Sequence, residues 1–574
     1  MIFRFSWPSW PQWRQLPKVL PVRERYALAA LIVVAIVAGL GWAYLAYLDR
    51  TTAIPAYGGT YTEALVGDPQ FINPLLAGAN DTDRDIAALV YSGLMKYDVA
   101  GNVVPDLAEG YEFSGDGKIY TLHLRRDVTW HDGKPFGADD VVFTIGAITN
   151  PEYNSPLRQG WLGITAQEID GYTVVITLPQ PFAQFPERLT LGILPKHIWS
   201  GIGPKKALLA DANLKPIGTG PFMFKKFTKD KFGVIISYTL VANESFYDGR
   251  PYLDEVVFSL YADESEAAAA YASGSVMGAS YLSPKSGSEV ASYGTTVHRL
   301  HIPKYFAIFF NQSQNKALAD KNVRSALAAA TNKQEIIDRV FDGNATVVDT
   351  ALLPWMPGYD PEVPRPTFSP EEARTLLEKA GWRDSDGDGV REKTIGTDKE
   401  PTALDIRLAT SDFPGYIQTS EILKAQWESI GARVILQNEN IEDLKQNLIR
   451  PRKYDALLFG ETLSHQPDPY PFWHSSQKKD PGWNLALYDD KETDQLLEKL
   501  RSTISREEQH DILKKIQNNI AQDGLVLFLY SPDYLYVVNR KIQGIAVENI
   551  ATPARRFTDV NTWHRYTTRI AKTE

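Results

Sequence analysis

Residues 26–48, YALAALIVVAIVAGLGWAYLAYL, carry no charge at all, and no other feature restricts this chain as strongly. As a helix the run rises about 34 Å, enough to cross a hydrocarbon core of about 30 Å. Ahead of it stand Arg4, Arg14, Lys18, Arg23 and Arg25 against Glu24 alone, a balance of +4. The positive-inside rule then keeps residues 1–25 in the cytoplasm, makes 26–48 a transmembrane helix and places the chain beyond Asp49 outside the cell membrane. Trp42, Tyr44 and Tyr47 suit the outer interface, and Trp7, Trp10 and Trp13 the inner headgroup layer. A cleaved secretory signal is the competing reading. Its apolar region usually spans only about 7–15 residues, although the small residues Ala53 and Ala56 leave cleavage open.

Of the 60 basic and 70 acidic residues, 55 and 69 lie beyond Arg25, so the exported part carries −14. The whole chain's formal net charge of −10 argues against nucleic acid as the main partner, since phosphate neutralisation needs a basic surface. The absence of cysteine excludes disulfides, thiolate metal sites and a lipid-modified N-terminal cysteine.

Residues 49–57 read as a linker, and from Gly58 onward strands and helices alternate. Ser114-Gly115-Asp116-Gly117 precedes a strand with Tyr120, Leu122 and Leu124 on one face, and Asp170-Gly171 opens a second hairpin. Helical patterns run through DDVVFTIGAI, NVRSALAAATNKQEIIDRVF, GYIQTSEILKAQWESIG and KETDQLLEKL. SPEEARTLLEKAG adds a full set of boundary signals, with Ser369 as cap, Pro370 at the first helical position and Gly381 at the stop. The pattern predicts a mixed α/β chain of more than one domain.

No phosphate loop, G-x-S-x-G elbow or H-E-x-x-H occurs, and the alternating surroundings of His298 and His301 read as a strand. With no nucleophile or metal cluster, the chain is expected not to be an enzyme and to need no cofactor. One loop qualifies this. In WRDSDGDGVREK, Asp384, Asp386, Asp388 and Glu392 fall at positions 1, 3, 5 and 9 of a calcium loop, with Gly389 at position 6. Position 12 is Ile395, where a bidentate Glu belongs, so a solvated acidic turn is the other reading.

Residues 103–145 carry Pro105, Leu107-Ala108-Glu109, Asp116-Gly117, Tyr120-Thr121, Leu124-Arg125, His131-Asp132-Gly133, Pro135, Ala138 and Asp140-Val141. Further matching stretches are FINPLL (71–76), LPKHIW (194–199), PIGTGPF (216–222), NESFYDGRPYLDEVVF (243–258) and NVRSALAAATNK (322–333). At this spacing the chain resembles the family 5 extracellular solute-binding proteins, the dipeptide and oligopeptide receptors of ABC importers, over nearly all of residues 58–565. The resemblance implies a two-lobed, periplasmic-binding-protein-like α/β fold with an extra domain on the N-terminal lobe, behind one transmembrane helix. Lobe I would take 58–91, 216–300 and 531–565, the extra domain 92–215 and lobe II 301–530, leaving 566–574 as a tail. His131 would fix a turn.

The implied function is peptide capture by closure of the lobes and delivery to a permease. In family peptide receptors an acid holding the peptide's ammonium comes after a strand reading W-x-x-D. Glu461 and Asp468 are the candidates here, in a stretch that departs from the pattern. Tyr305, Phe306, Trp355, Tyr470, Trp473 and Trp483 are candidate cleft walls, and Asn73 and Asn484 candidate partners of the ligand backbone. A non-peptide solute (a sugar, opine or metal chelate), an anchored extracytoplasmic hydrolase and a surface sensor are the alternatives.

Overall fold

The computed structural model describes residues 9–291, 294–396 and 400–572, so Arg4 and Trp7 lie outside it. Two compact units divide the chain: residues 1–57 with 566–574, and residues 58–565. In the first, α1 (Trp10–Val19) is followed by α2 (Val22–Arg50), which is long and apolar enough to cross a membrane. The stretch expected as a linker holds a strand instead. Strand β1 (Thr51–Ala56) pairs antiparallel with a C-terminal strand, Tyr566–Ala571, in the stretch expected as a tail. Arg569 donates to Leu48 and Thr51 carbonyls at 3.0 and 2.8 Å, tying the end of α2 to this ribbon.

The second unit begins with β2 (Thr60–Val66) and α3 (Asp81–Val90). A four-stranded antiparallel sheet is then built from β3 (Ala108–Phe113), β4 (Ile119–Leu124), β5 (Thr165–Asp170) and β6 (Thr173–Thr177), with α4 (Ala138–Thr149) against it. Both predicted hairpins are there, and Tyr120, Leu122 and Leu124 are buried on one face. Next come β7 (Phe222–Lys229), β8 (Ile235–Ala242), β9 (Glu255–Tyr261), β10 (Gly278–Leu282) and β11 (Thr295–His301). The last group is β12 (Lys304–Phe310), β13 (Ala345–Val347), β14 (Asp405–Ser411), β15 (Arg433–Glu439), β16 (Ala456–Thr462) and the 14-residue β17 (Val526–Asn539).

These form one 12-stranded sheet in the order β15-β14-β16-β12-β17-β10-β2-β9-β8-β7, with β11 and β13 also on β17. Strand β17 belongs to both halves. Val526 to Tyr530 pair with β12, and Asp533 to Asn539 pair with β11. Among the described residues the chain passes between the halves at Ile302-Pro303 and at Pro532-Asp533. Both passages carry a proline, which has no N–H for a ladder bond.

Side chains alternate across β12. Phe306, Ile308 and Phe310 enter one core with Trp382 and Trp427, while Tyr305, Ala307 and Phe309 enter another with Trp473 and Leu513. A third core joins β2, α3 and the four-stranded sheet through Tyr61, Leu89, Trp130 and Trp563. The helix Pro370–Lys379 has the predicted ends: the Ser369 hydroxyl accepts from Glu372 N at 3.1 Å, and Gly381 takes φ +86°. The pattern over 322–341 breaks into two helices, Lys321–Ala329 and Lys333–Phe341. Asn332 separates them because its side chain accepts from Glu335 N at 3.1 Å and caps the second.

Candidate functional site

Strand β16 pairs antiparallel with β12 and sets Glu461 opposite Tyr305. Both are buried, at 3% and 0% exposure, and the Tyr305 hydroxyl donates to Glu461 Oε2. Glu461 Oε1 has no partner. Burial pushes the Glu461 carboxyl up to about 8, against the downward pull of the Tyr305 hydroxyl. A buried carboxyl with one unpartnered oxygen is an unsatisfied polar group. On the opposite face of β12, Phe306 stacks on Tyr530 at 5.2 Å, and Lys304 Nζ lies 4.8 Å over the Phe306 ring.

The other sequence candidates fall into separate groups. Asp468 is held by Arg501 through two bonds of 3.0 and 2.6 Å, and that guanidinium lies 3.8 Å over Tyr470. Asn484 donates to the Trp473, His474 and Tyr488 carbonyls and accepts from Tyr488 N at 2.9 Å, so it fastens a turn beneath buried Trp473. Trp355 stacks on His301 at 4.5 Å, across the first passage between the halves, and its indole N–H is unpartnered. Trp483 is 45% exposed. Asn73 lies in the loop before α3, where its Oδ1 accepts from Leu75 N at 2.9 Å and its buried Nδ2 has no acceptor.

The residues that fasten the loop after β16 carry no sequence signal, because their partners are far along the chain. Glu187 accepts from Tyr97 Oη at 2.7 Å, His465 N at 2.9 Å and Gln466 N at 3.3 Å. Gln184 Nε2 donates to the Pro467 carbonyl at 3.3 Å, and Ala183 N to the Arg501 carbonyl at 2.8 Å. Burial raises the Glu187 carboxyl, and its three donors oppose that shift. Deeper in the N-terminal half, fully buried Arg556 bridges Glu63 and Asp85, each at 2.7 Å. Tyr61 and Tyr536 donate to Glu63 at 2.9 and 2.8 Å, which satisfies that acid further.

His131 does fix a turn. Its Nδ1 accepts from Gly218 N at 3.2 Å, and its Nε2 lies 3.0 Å from the Gly220 carbonyl. Burial pulls its pKa down to about 4, so the ring is neutral. A Cβ on Gly218 would come 1.9 Å from the Val90 carbonyl oxygen, which accounts for glycine there. In the acidic turn, one carboxylate oxygen from each of Asp384, Asp386 and Asp388 lies within 4.8 Å of the others, all exposed. These side chains also accept from the Gly387, Asp388, Gly389 and Val390 amides, and Glu392 from Ser385 N.

Residues 102–483 match the profile of the bacterial extracellular solute-binding proteins, family 5, middle region. The oligopeptide-binding protein AppA of Bacillus subtilis is 28% identical over 527 residues, covering 90% of this chain and 93% of that protein. Its structure in complex with a nonapeptide superposes with a TM-score of 0.67 at 27% identity, over 89% of this chain and 99% of that one. NikZ of Campylobacter jejuni, in complex with Ni(L-His), gives 0.68 at 27% identity, over 88% and 99%. Profile, sequence relatives and superposed structures agree: the chain belongs to the family 5 bacterial extracellular solute-binding proteins, the substrate-binding proteins of ABC transporters.

Proposed function

We propose that the protein is a membrane-tethered receptor that captures peptides by closing two lobes over them and delivers them to an ABC permease. The observation that carries this reading is the sharing of β17 by both halves of the sheet, with passages at Pro303 and Pro532 as the pivot. In this reading lobe I comprises 58–91, 216–300 and 531–565, the extra domain 92–215 and lobe II 301–530. Helix α2 crosses the membrane with the basic N-terminal residues inside, and the receptor catalyses no reaction of its own.

Closed-state contacts supply the differential affinity that drives such a motion. Glu461 would anchor the peptide ammonium, because its Oε1 is unpartnered while Asp468 is neutralised by Arg501. Small-angle scattering of the full chain in detergent, with and without a peptide mixture, is the test. A smaller radius of gyration with peptide supports the reading, and an unchanged curve overturns it.

A non-peptide solute, such as the metal chelate bound by NikZ, is the second reading. It is favoured by the raised pKa of Glu461, which leaves the site without a standing negative charge below about 8. Native mass spectrometry of protein purified from cells separates the two by the mass retained. For the acidic turn at Asp384, Asp386 and Asp388 we propose calcium. Heat on titrating chelator-stripped protein supports it, and its absence at millimolar calcium overturns it.

A further inference from the structure

Residues from 74 through α3, Leu157, the segment around Thr190 and the C-terminal return at 552–555 line an open cavity of about 210 Å³. Arg84, Tyr91 and Arg555 line it, and no Asp or Glu does. A smaller cavity of about 80 Å³ shares Tyr91 and Arg555 with it and is lined also by Lys96, Asp106 and Asp248. Three observations converge on the larger one. The Tyr91 hydroxyl is buried, at 6% residue exposure, and has no acceptor. Arg84 Nε is also buried without an acceptor, although its terminal nitrogens hold Asp81 and the Gly78 carbonyl. The Arg555 guanidinium lies 5.4 Å over Tyr97, donates one side-chain hydrogen bond, from Nη2 to the Thr190 carbonyl at 2.9 Å, and has no carboxylate within ion-pair distance among the described residues.

Arg555 is part-buried, and burial pulls its pKa down against the upward pull of Tyr97, Asp106 and Glu187. Unsatisfied donors around a cavity mark the position of an absent acceptor. We propose that this cavity holds a carboxylate group of the transported solute, paired with Arg555 and hydrogen-bonded by Tyr91. This assignment deepens the receptor reading and rests on it. Arg84 is already engaged by Asp81, which leaves Arg555 as the cation for the carboxylate. The planar fork of an arginine also matches a carboxylate bidentately.

Calorimetry on the full chain in detergent tests this with four probes: Ala-Ala-Ala, its C-terminal amide, succinate and inorganic phosphate. The free acid is expected to bind at least about 10-fold more tightly than the amide, the ratio of one charge-assisted bond. Arg555→Gln should remove that ratio and leave the amide's affinity in place. Tyr91→Phe, which deletes only a hydroxyl and serves where Arg555→Gln fails to fold, should lower the ratio about threefold. Equal binding of acid and amide by the wild type, or an acid preference that survives Arg555→Gln, overturns the inference and leaves peptide capture standing. If neither peptide binds, peptide capture fails. Succinate binding lost in Arg555→Gln then upholds the carboxylate site, and no such binding overturns it. Phosphate bound in preference to every carboxylate also overturns it.

Discussion

Glu187 accepts the backbone N–H of His465 at 2.9 Å across 278 residues of sequence. The bond fastens the loop after β16 to a segment next to the four-stranded sheet, beside the Gln184 and Ala183 contacts. Glu187→Ala removes the acceptor of three donors and should free that loop. Amide exchange at His465 and Gln466 should quicken by about 10-fold or more, equivalent to about 1.4 kcal/mol of local stability. Unchanged exchange there, with the variant folded, would show that the loop is held by other means.

Glu461→Gln keeps the shape of the side chain and removes its capacity for charge. It should weaken free-amine peptides by about 2–5 kcal/mol and spare their N-acetylated forms. Equal loss for both removes Glu461 from the amine role.

Binding of an ammonium would ionise Glu461, which is mostly protonated below about 8. Peptide binding at pH 7 should therefore release close to one proton. Affinity should rise toward about 10-fold per pH unit as the pH climbs to about 8. Calorimetry in buffers of different ionisation enthalpy measures that proton, and identical heats count against the assignment.

The same group sets a stability slope in the ligand-free protein. Its folded pKa of about 8 lies above the usual 4.5, so between those values the native state binds the extra proton. Its contribution to stability is complete below about 4.5 and is lost as pH rises through about 8. The loss is on the order of 2–4 kcal/mol for a group this buried. Thermal unfolding of wild type and Glu461→Gln from pH 5 to 8.5 reads it: the wild type should fall further across that interval, and parallel curves would refute the slope.

Arg556 holds Glu63 on β2 and Asp85 on α3 in a fully buried cluster. Arg556→Met strands both acids and should cost about 3–5 kcal/mol of stability. Denaturant unfolding measures it, and a loss below about 1 kcal/mol would mean that the acids take up protons and the cluster tolerates the change.

Local grammar made much of this fold legible. Ser369, Pro370 and Gly381 bracket a helix because their backbone needs are local, and the turns at 114–117 and 170–171 announce their hairpins. Family membership was legible in the block around His131, whose ring ties its turn to Gly218 and Gly220. The split at Asn332 was hidden because the apolar spacing continues through the cap. Pairing of Thr51–Ala56 with Tyr566–Ala571 had no signal, because register between distant strands comes from the tertiary fold. The Arg555 cavity was invisible for the same reason: it is assembled from four stretches, each ordinary when read alone.

Pro303 and Pro532 bear on more than motion. A tertiary amide at each bridge leaves no amide hydrogen for a ladder bond at those points, so in the proposed receptor reading the swivel is written into the covalent chain. The cargo-facing side chains are written elsewhere. Natural variation can therefore retune what such a receptor carries and leave its wrist untouched, as two relatives with one architecture, one holding a nonapeptide and the other a nickel chelate, illustrate.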